Sequence, residues 1–256
     1  MPAVGIDDIL AIEHDQAHAG TSECTVVCRL LSACLAPAEA SLEVAMGAPK
    51  GHDRVINVSK VPHRSPLRYP GGKTWLVPYV RWWLRGLRPK PRELVEPFAG
   101  GAIVGLTAVA EGLVERVTLV ELDEDVAALW ETILNGDGSK LADDVGRFRL
   151  SLESVRAVLA GPRDSLYDRA FATLVKNRVQ RGGILAPGAS LMKLGENGRG
   201  ISSRWYPETL RRRILAIVGL RDRITFVHGD GMEFLKANAG RPEIACFLDP
   251  PYTKAA

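Results

Sequence analysis

Four short apolar runs, each followed by a carboxylate, constrain the fold of this chain more than any other feature. They are Glu93-Leu94-Val95-Glu96, Val117 to Val120 before Glu121, Arg223 to Val227 before Gly229-Asp230, and Ile244 to Leu248 before Asp249. Runs this short, rich in Val and Ile and bounded by turn residues, read as buried strands. A helix through Gly112 separates the first two, and a second helix follows from about Glu124 to Leu134. A short helix from Met232 to Ala239 lies between the last two. Strands alternating with helices imply parallel strands joined by right-handed crossovers, so the expected fold is α/β with a parallel sheet.

At 256 residues the chain is long enough for one large domain, or one domain with an insertion. Residues 1–64 are Ala-rich, broken by Pro37, Pro49 and Pro62, and hold one apolar stretch from Val26 to Met46 that suits a helix or two. They read as an N-terminal extension. Residues 65–138 read as the first part of the sheet domain. It opens with Tyr69-Pro70-Gly71-Gly72-Lys73 and an amphipathic helix bearing Trp75, Leu76, Tyr79, Val80, Trp83 and Leu84. Residues 139–222 read as a helical, basic insertion with a glycine-rich centre, and residues 223–256 as the sheet domain continued.

With 46% hydrophobic and 25% charged residues the composition fits an ordinary globular protein, and the net charge of +3 says little about partners. The distribution says more. Between Lys176 and Arg213 lie nine basic residues against two acidic ones, Glu196 and Glu208. That excess suits a polyanion such as nucleic acid, or equally a solvated helix and loop. Cys24, Cys28 and Cys34 lack histidines at a zinc-site spacing, so no metal is expected. A reducing, cytoplasmic setting fits these thiols. No apolar run approaches the roughly 18 residues of a membrane span, and the acidic N-terminus lacks the basic start of a secretory signal.

The strand ends carry the chemistry. Glu96-Pro97-Phe98-Ala99-Gly100-Gly101-Ala102 sits where an α/β sheet binds a nucleotide-like ligand, and its glycines allow close backbone approach. It lacks the glycine spacing of a dinucleotide site. Glu121 suits the two hydroxyls of a ribose, or simple solvation. Asp123 and Asp230 suit helix N-caps, and Asp230 also suits an adenine amino group. In Asp249-Pro250-Pro251-Tyr252 a carboxylate and a proline carbonyl can both accept from an NH2 group. The prolines fix the backbone, and the tyrosine offers a face for a flat ring.

Tyr69-Pro70-Gly71-Gly72-Lys73, Glu96-Pro97-Phe98-Ala99-Gly100-Gly101 and Asp249-Pro250-Pro251-Tyr252, in that order, resemble the Dam-type DNA adenine N6-methyltransferases over roughly residues 66 to 253. The resemblance implies the Rossmann-like methyltransferase fold, S-adenosylmethionine as cofactor, double-stranded DNA as partner, and a bacterial or phage-encoded protein. It places Tyr69 and Lys73 beside the pocket. Glu96, Phe98, Ala99 and Gly100 would lie around the cofactor's methionine part, Glu121 on its ribose and Asp230 on its adenine. Asp249, Pro250, Pro251 and Tyr252 would hold a flipped-out adenine. Asn177, Arg178, Arg181, Arg204, Trp205 and Tyr206 of the insertion are candidates for DNA contact, with a helical subdomain burying Trp205 and Tyr206 as the alternative.

The family continues past its catalytic loop, so the resemblance implies a sheet incomplete on its C-terminal side. The Ile244 to Leu248 strand is then expected at an open edge, or completed by a second chain. Two other readings stay open: an inactive AdoMet- or DNA-binding remnant, and a methyltransferase for an amino group of RNA or protein glutamine.

Overall fold

The computed structural model describes residues 60–68, 73–186, 188–195 and 198–249. Four strands form one parallel sheet: β1 (Glu93–Glu96), β2 (Arg116–Glu121), β3 (Ile224–His228) and β4 (Ile244–Cys246), in the order β3-β2-β1-β4. Glu96 pairs with Leu119, Glu121 with His228, and Val95 with Cys246. β1 is buried along its whole length, as expected of a central parallel strand. β4 is shorter than its apolar run. Regular pairing stops at Cys246, and Phe247 continues with one bond from its N–H to the Val95 carbonyl, 2.9 Å. Among the described residues β3 and β4 are the edges.

Eight α-helices accompany the sheet among the described residues. α1 (Val77–Gly86) follows a 3-10 turn over Lys73–Leu76. α2 (Ile103–Ala110) joins β1 to β2, and α3 (Glu124–Leu134) follows β2. α4 (Gly138–Arg147), α5 (Leu152–Ala160), α6 (Leu166–Val179) and α7 (Pro207–Val218) occupy the insertion, and α8 (Gly231–Ala237) joins β3 to β4. Their starts are written in the sequence. Asp123, Asp137, Ser151 and Ser165 accept from first-turn N–H groups, and Pro207 opens α7.

The insertion does not stand apart. α4 packs on α7, and α6 packs on α3. Leu141, Val145, Leu174 and Ile214 share one continuous core with Leu94, Leu119 and Trp130. The glycine-rich stretch between α6 and α7 forms 3-10 turns and one antiparallel bridge, Gln180 to Leu191.

One expected face departs from its pattern. Leu76, Val80, Trp83 and Leu84 are buried as the helical period requires, but Trp75 and Tyr79 are 40% and 39% exposed. They flank the buried stripe, about 100° around the helix, instead of belonging to it. No helix among the described residues is long and apolar enough to cross a membrane. No group of three or more metal-ligating side chains gathers among them.

Candidate active site at the carboxyl ends of the strands

Because all four strands run the same way, the residues that follow them gather at one edge of the sheet. Glu96, Glu121, Gly229-Asp230 and Asp249 therefore meet from distant points in the sequence.

The turn after β1 is held from several sides. The Ala99 N–H donates to the Val120 carbonyl, 2.9 Å, and the Gly100 N–H to Glu121 Oε2, 2.8 Å. Trp130 Nε1 donates to the Gly100 carbonyl, 2.9 Å, tying the turn to the core. Gly100 has φ 46°, and Ala102, at the N-cap of α2, has φ 49°. A non-glycine residue in the left-handed region is uncommon and marks a locally constrained backbone. Phe98 is half-buried, and Ala99 is buried.

Ala102 offers α2 no side-chain cap. Glu96 takes that role from the neighbouring strand: its Oε2 accepts from the Gly105 N–H, 2.8 Å. The approach demands glycine, since a Cβ at position 105 would stand 2.7 Å from that oxygen and 2.9 Å from Leu119 and Val117 atoms. Glu96 is 4% exposed. Burial pushes its carboxyl up to about 8, against the Gly105 hydrogen bond and with the charge of Asp249 adding to the rise.

Glu121 is bound twice, by the Gly100 N–H on Oε2 and by the Asp123 N–H on Oε1, 2.9 Å. Burial raises its pKa, and these backbone bonds oppose the rise. Both candidate N-caps are realised. Asp123 accepts from Asp125 and Val126, and Asp230 Oδ1 from the Met232 and Glu233 N–H groups at 2.7 and 3.1 Å. The ligand roles expected of Glu121 and Asp230 would have to coexist with these local duties. The turns after β1 and β3 touch: a Cβ on Gly231 would lie 2.0 Å from the Pro97 carbonyl oxygen. Leu122, which the strand-end reasoning passed over, is 63% exposed beside Glu121.

At the end of β4, Asp249 Oδ1 accepts from Lys73 Nζ at 2.8 Å, with both side chains about four-fifths buried. Tyr69, Pro250, Pro251 and Tyr252 lie outside the described residues. β4 is fixed at its other end by Glu93, which accepts from Thr118 Oγ1 at 2.7 Å and from Arg241 Nη2 at 2.9 Å.

The insertion candidates divide. Asn177 and Arg178 are buried, not surface contacts as the sequence suggested. Asn177 Oδ1 accepts from the Arg68 N–H, and its Nδ2 donates to the Arg68 and Gly183 carbonyls, all within 2.8 Å. Arg178 donates to the Pro66 carbonyl, and Arg213 to the Ser65 carbonyl at 3.1 Å. Burial, then Arg213, Arg68 and Arg204, push the Arg178 guanidinium down to about 9. Arg68 and Arg213, which the sequence reading did not single out for contact, thus join Arg178 and Arg204 in one cationic cluster. Arg181 is exposed, and Arg204 half-buried. Trp205 is buried edge-on against Phe148, centroids 5.5 Å apart, while Tyr206 is 42% exposed with Arg199 over its ring.

Asn177→Ala is expected to cost about 2 kcal/mol, because it leaves buried backbone groups of Arg68 and Gly183 unpaired. Urea unfolding at neutral pH checks this; a loss under about 0.5 kcal/mol would deny Asn177 its role.

No protein-family model matches this chain, and no curated protein matches it at a significant level.

Proposed function

We propose that this chain is a DNA adenine N6-methyltransferase that uses S-adenosylmethionine. The observation that carries the reading is the Asp249 carboxylate at the end of β4, 2.8 Å from Lys73 Nζ, on the same sheet edge as Glu96, Glu121 and Asp230. An ammonium bonded to Asp249 marks that carboxylate as an acceptor for N–H groups, which is what an adenine amino group requires.

The chain's residues suit the cofactor. The Gly100 and Ala102 turn brings backbone close to the strand ends, Glu121 and Asp230 supply acceptors, and Leu122 supplies an apolar face. When bound, the cofactor supplies an electrophilic methyl group on a sulfonium. Asp249 accepts from the adenine N6 hydrogens and so concentrates the nitrogen lone pair. The bound cofactor would be the methyl donor, and Asp249 would orient the N6 lone pair toward it and stand beside the proton that the nitrogen gives up, to pass to the carboxylate or to water. Positioning supplies most of the rate, because the leaving group is already good. The exposed Arg181 and the part-exposed Arg68, Arg204 and Arg213 give a cationic approach suited to a DNA backbone, with the exposed Tyr206 beside them.

The test is transfer of labelled methyl from S-adenosylmethionine to unmethylated duplex DNA, with digestion to nucleosides. Label in N6-methyl-2′-deoxyadenosine from the native chain is expected, with a ~100-fold or greater loss in Asp249→Ala. Cofactor binding by calorimetry without transfer would replace this reading with that of a non-catalytic binding protein. Label in RNA or in protein glutamine, offered in parallel reactions in place of DNA, would move the substrate.

A further inference from the structure

Trp75, Tyr79 and Trp82 stand at helical spacing along the Lys73–Leu76 turn and α1, and they are 40%, 39% and 48% exposed. Trp75 and Tyr79 meet edge-on, centroids 6.4 Å apart. Three large aromatics on one face of one helix form an apolar patch of the kind that marks an interaction surface. Beside them runs a shallow depression lined by Pro78, Arg81, Trp82, Arg85 and Gly86. The face is aromatic, α1 contains no acidic residue, and Arg85 adds positive charge, while Arg81 is paired with Glu111.

The described chain begins on this flank. Arg64 Nη2 reaches Glu111 Oε1 at 3.3 Å, and the same carboxylate receives two bonds from Arg81 of α1, both 2.7 Å. Arg64, four residues after the first described residue, therefore lies beside Arg81. The chain upstream of Lys60 is acidic: residues 1–59 hold eight Asp and Glu against three Lys and Arg, a net of −5, while the rest of the chain is net +8. Within them Val26 to Met46 is the one apolar stretch, and its charged residues are Arg29, Glu39 and Glu43. The steps from Met46 to Lys60 span up to about 45–50 Å of extended chain, against about 15 Å for the length of α1.

We infer that the Val26–Met46 segment of the same chain docks on the Trp75–Tyr79–Trp82 face. Its apolar side chains cover the aromatics, and Glu39 and Glu43 meet Arg85 and the rim of the Arg81 depression. The occupant is intramolecular because the tether holds it at high effective concentration. This inference is independent of the methyltransferase reading. It also gives residues 1–59 a place two residues from Lys73.

The test is a photo-crosslink in the full chain, with p-benzoylphenylalanine in place of Trp82. The expected result is a crosslink from position 82 to a peptide within residues 26–46 of the same molecule, unchanged by ~100-fold dilution. Crosslinked dimers that vanish on dilution would assign the face to a second copy. Crosslinks to added single-stranded DNA in preference to the segment would assign it to nucleic acid. Absence of any crosslink in a protein with unaltered circular dichroism would overturn the proposal. A second measurement avoids the probe. In Trp75→Ser/Trp82→Ser, hydrogen exchange in peptides from residues 26–46 is expected to quicken ~10-fold while β1 and β2 peptides stay unchanged. Equal exchange in both proteins would equally overturn it.

Discussion

Gly231→Ala is expected to lower stability by at least about 3 kcal/mol, or roughly 6–12 °C in thermal midpoint for a domain of this size. The cause is specific. Gly231 is buried at the first position of α8, and a methyl group there would stand 2.0 Å from the Pro97 carbonyl oxygen. That neighbour is backbone, inside a turn already fixed by Ala99 on Val120 and by Trp130 on Gly100. Neither side can yield by a rotamer change, so the turns after β1 and β3 must part. The control is Gly86→Ala, where nothing lies within 4 Å of the added carbon. That substitution is expected to be neutral, or stabilising by up to about 1 kcal/mol, through reduced freedom of the unfolded chain. If calorimetry finds the two variants melting together, the contact between the turns does not exist as described.

The second large effect is on pH dependence. The Glu96 carboxyl is raised from 4.5 to about 8 in the folded protein, chiefly by burial. The native state thus holds a proton that the unfolded chain releases at an ordinary carboxyl pKa. Stability from this source is fully present below about pH 4.5 and falls as pH rises toward 8, the reverse of a salt-bridged carboxylate. Across that window the loss is of order 3–5 kcal/mol. Glu96→Gln keeps an oxygen for the Gly105 N–H and removes the titrating group. In denaturant titrations at pH 5.5, 7.0 and 8.5 the native protein should weaken steadily while the variant stays nearly level, so that the variant is the more stable at pH 8.5. Parallel profiles would show that Glu96 ionises normally, and so is not buried as the structure has it.

Much of the fold was legible because parallel α/β sheets leave a direct imprint. Buried strands are short and continuously apolar, and Glu93–Glu96 and Glu124–Leu134 emerged with the expected bounds. The N-cap readings of Asp123 and Asp230 were local chemistry, readable from a carboxylate before an amphipathic run. Other features depended on contacts between distant segments. Nothing near Glu96 in the sequence says that its carboxyl caps α2, since that depends on Gly105 lying against β1 and β2. Arg178 read as a surface base because an arginine beside a glycine-rich loop usually is one. Its burial follows from Pro66, whose carbonyl it reaches across 112 residues of chain. Trp75 and Tyr79 fit an apolar face by composition, but their phase around the helix put them at its margin. Trp205 and Tyr206, adjacent in sequence, part because only Trp205 meets Phe148, which is itself edge-on to Phe171 beside the insertion's core.

The Lys73–Asp249 pair joins residues 176 positions apart. A ribosome adding 5–20 residues each second needs about 9–35 s to cover that interval. From the completion of β2 at Glu121 to the arrival of β4 at Ile244, about two-thirds of that interval, β1 has its β2 partner but an open hydrogen-bonding edge on the side that β4 will take. Emerging chain therefore carries an unpaired apolar strand for seconds, a template for pairing with neighbouring chains. Yield during expression should accordingly depend more on synthesis rate and on chaperones that bind open strands than on the stability of the finished fold.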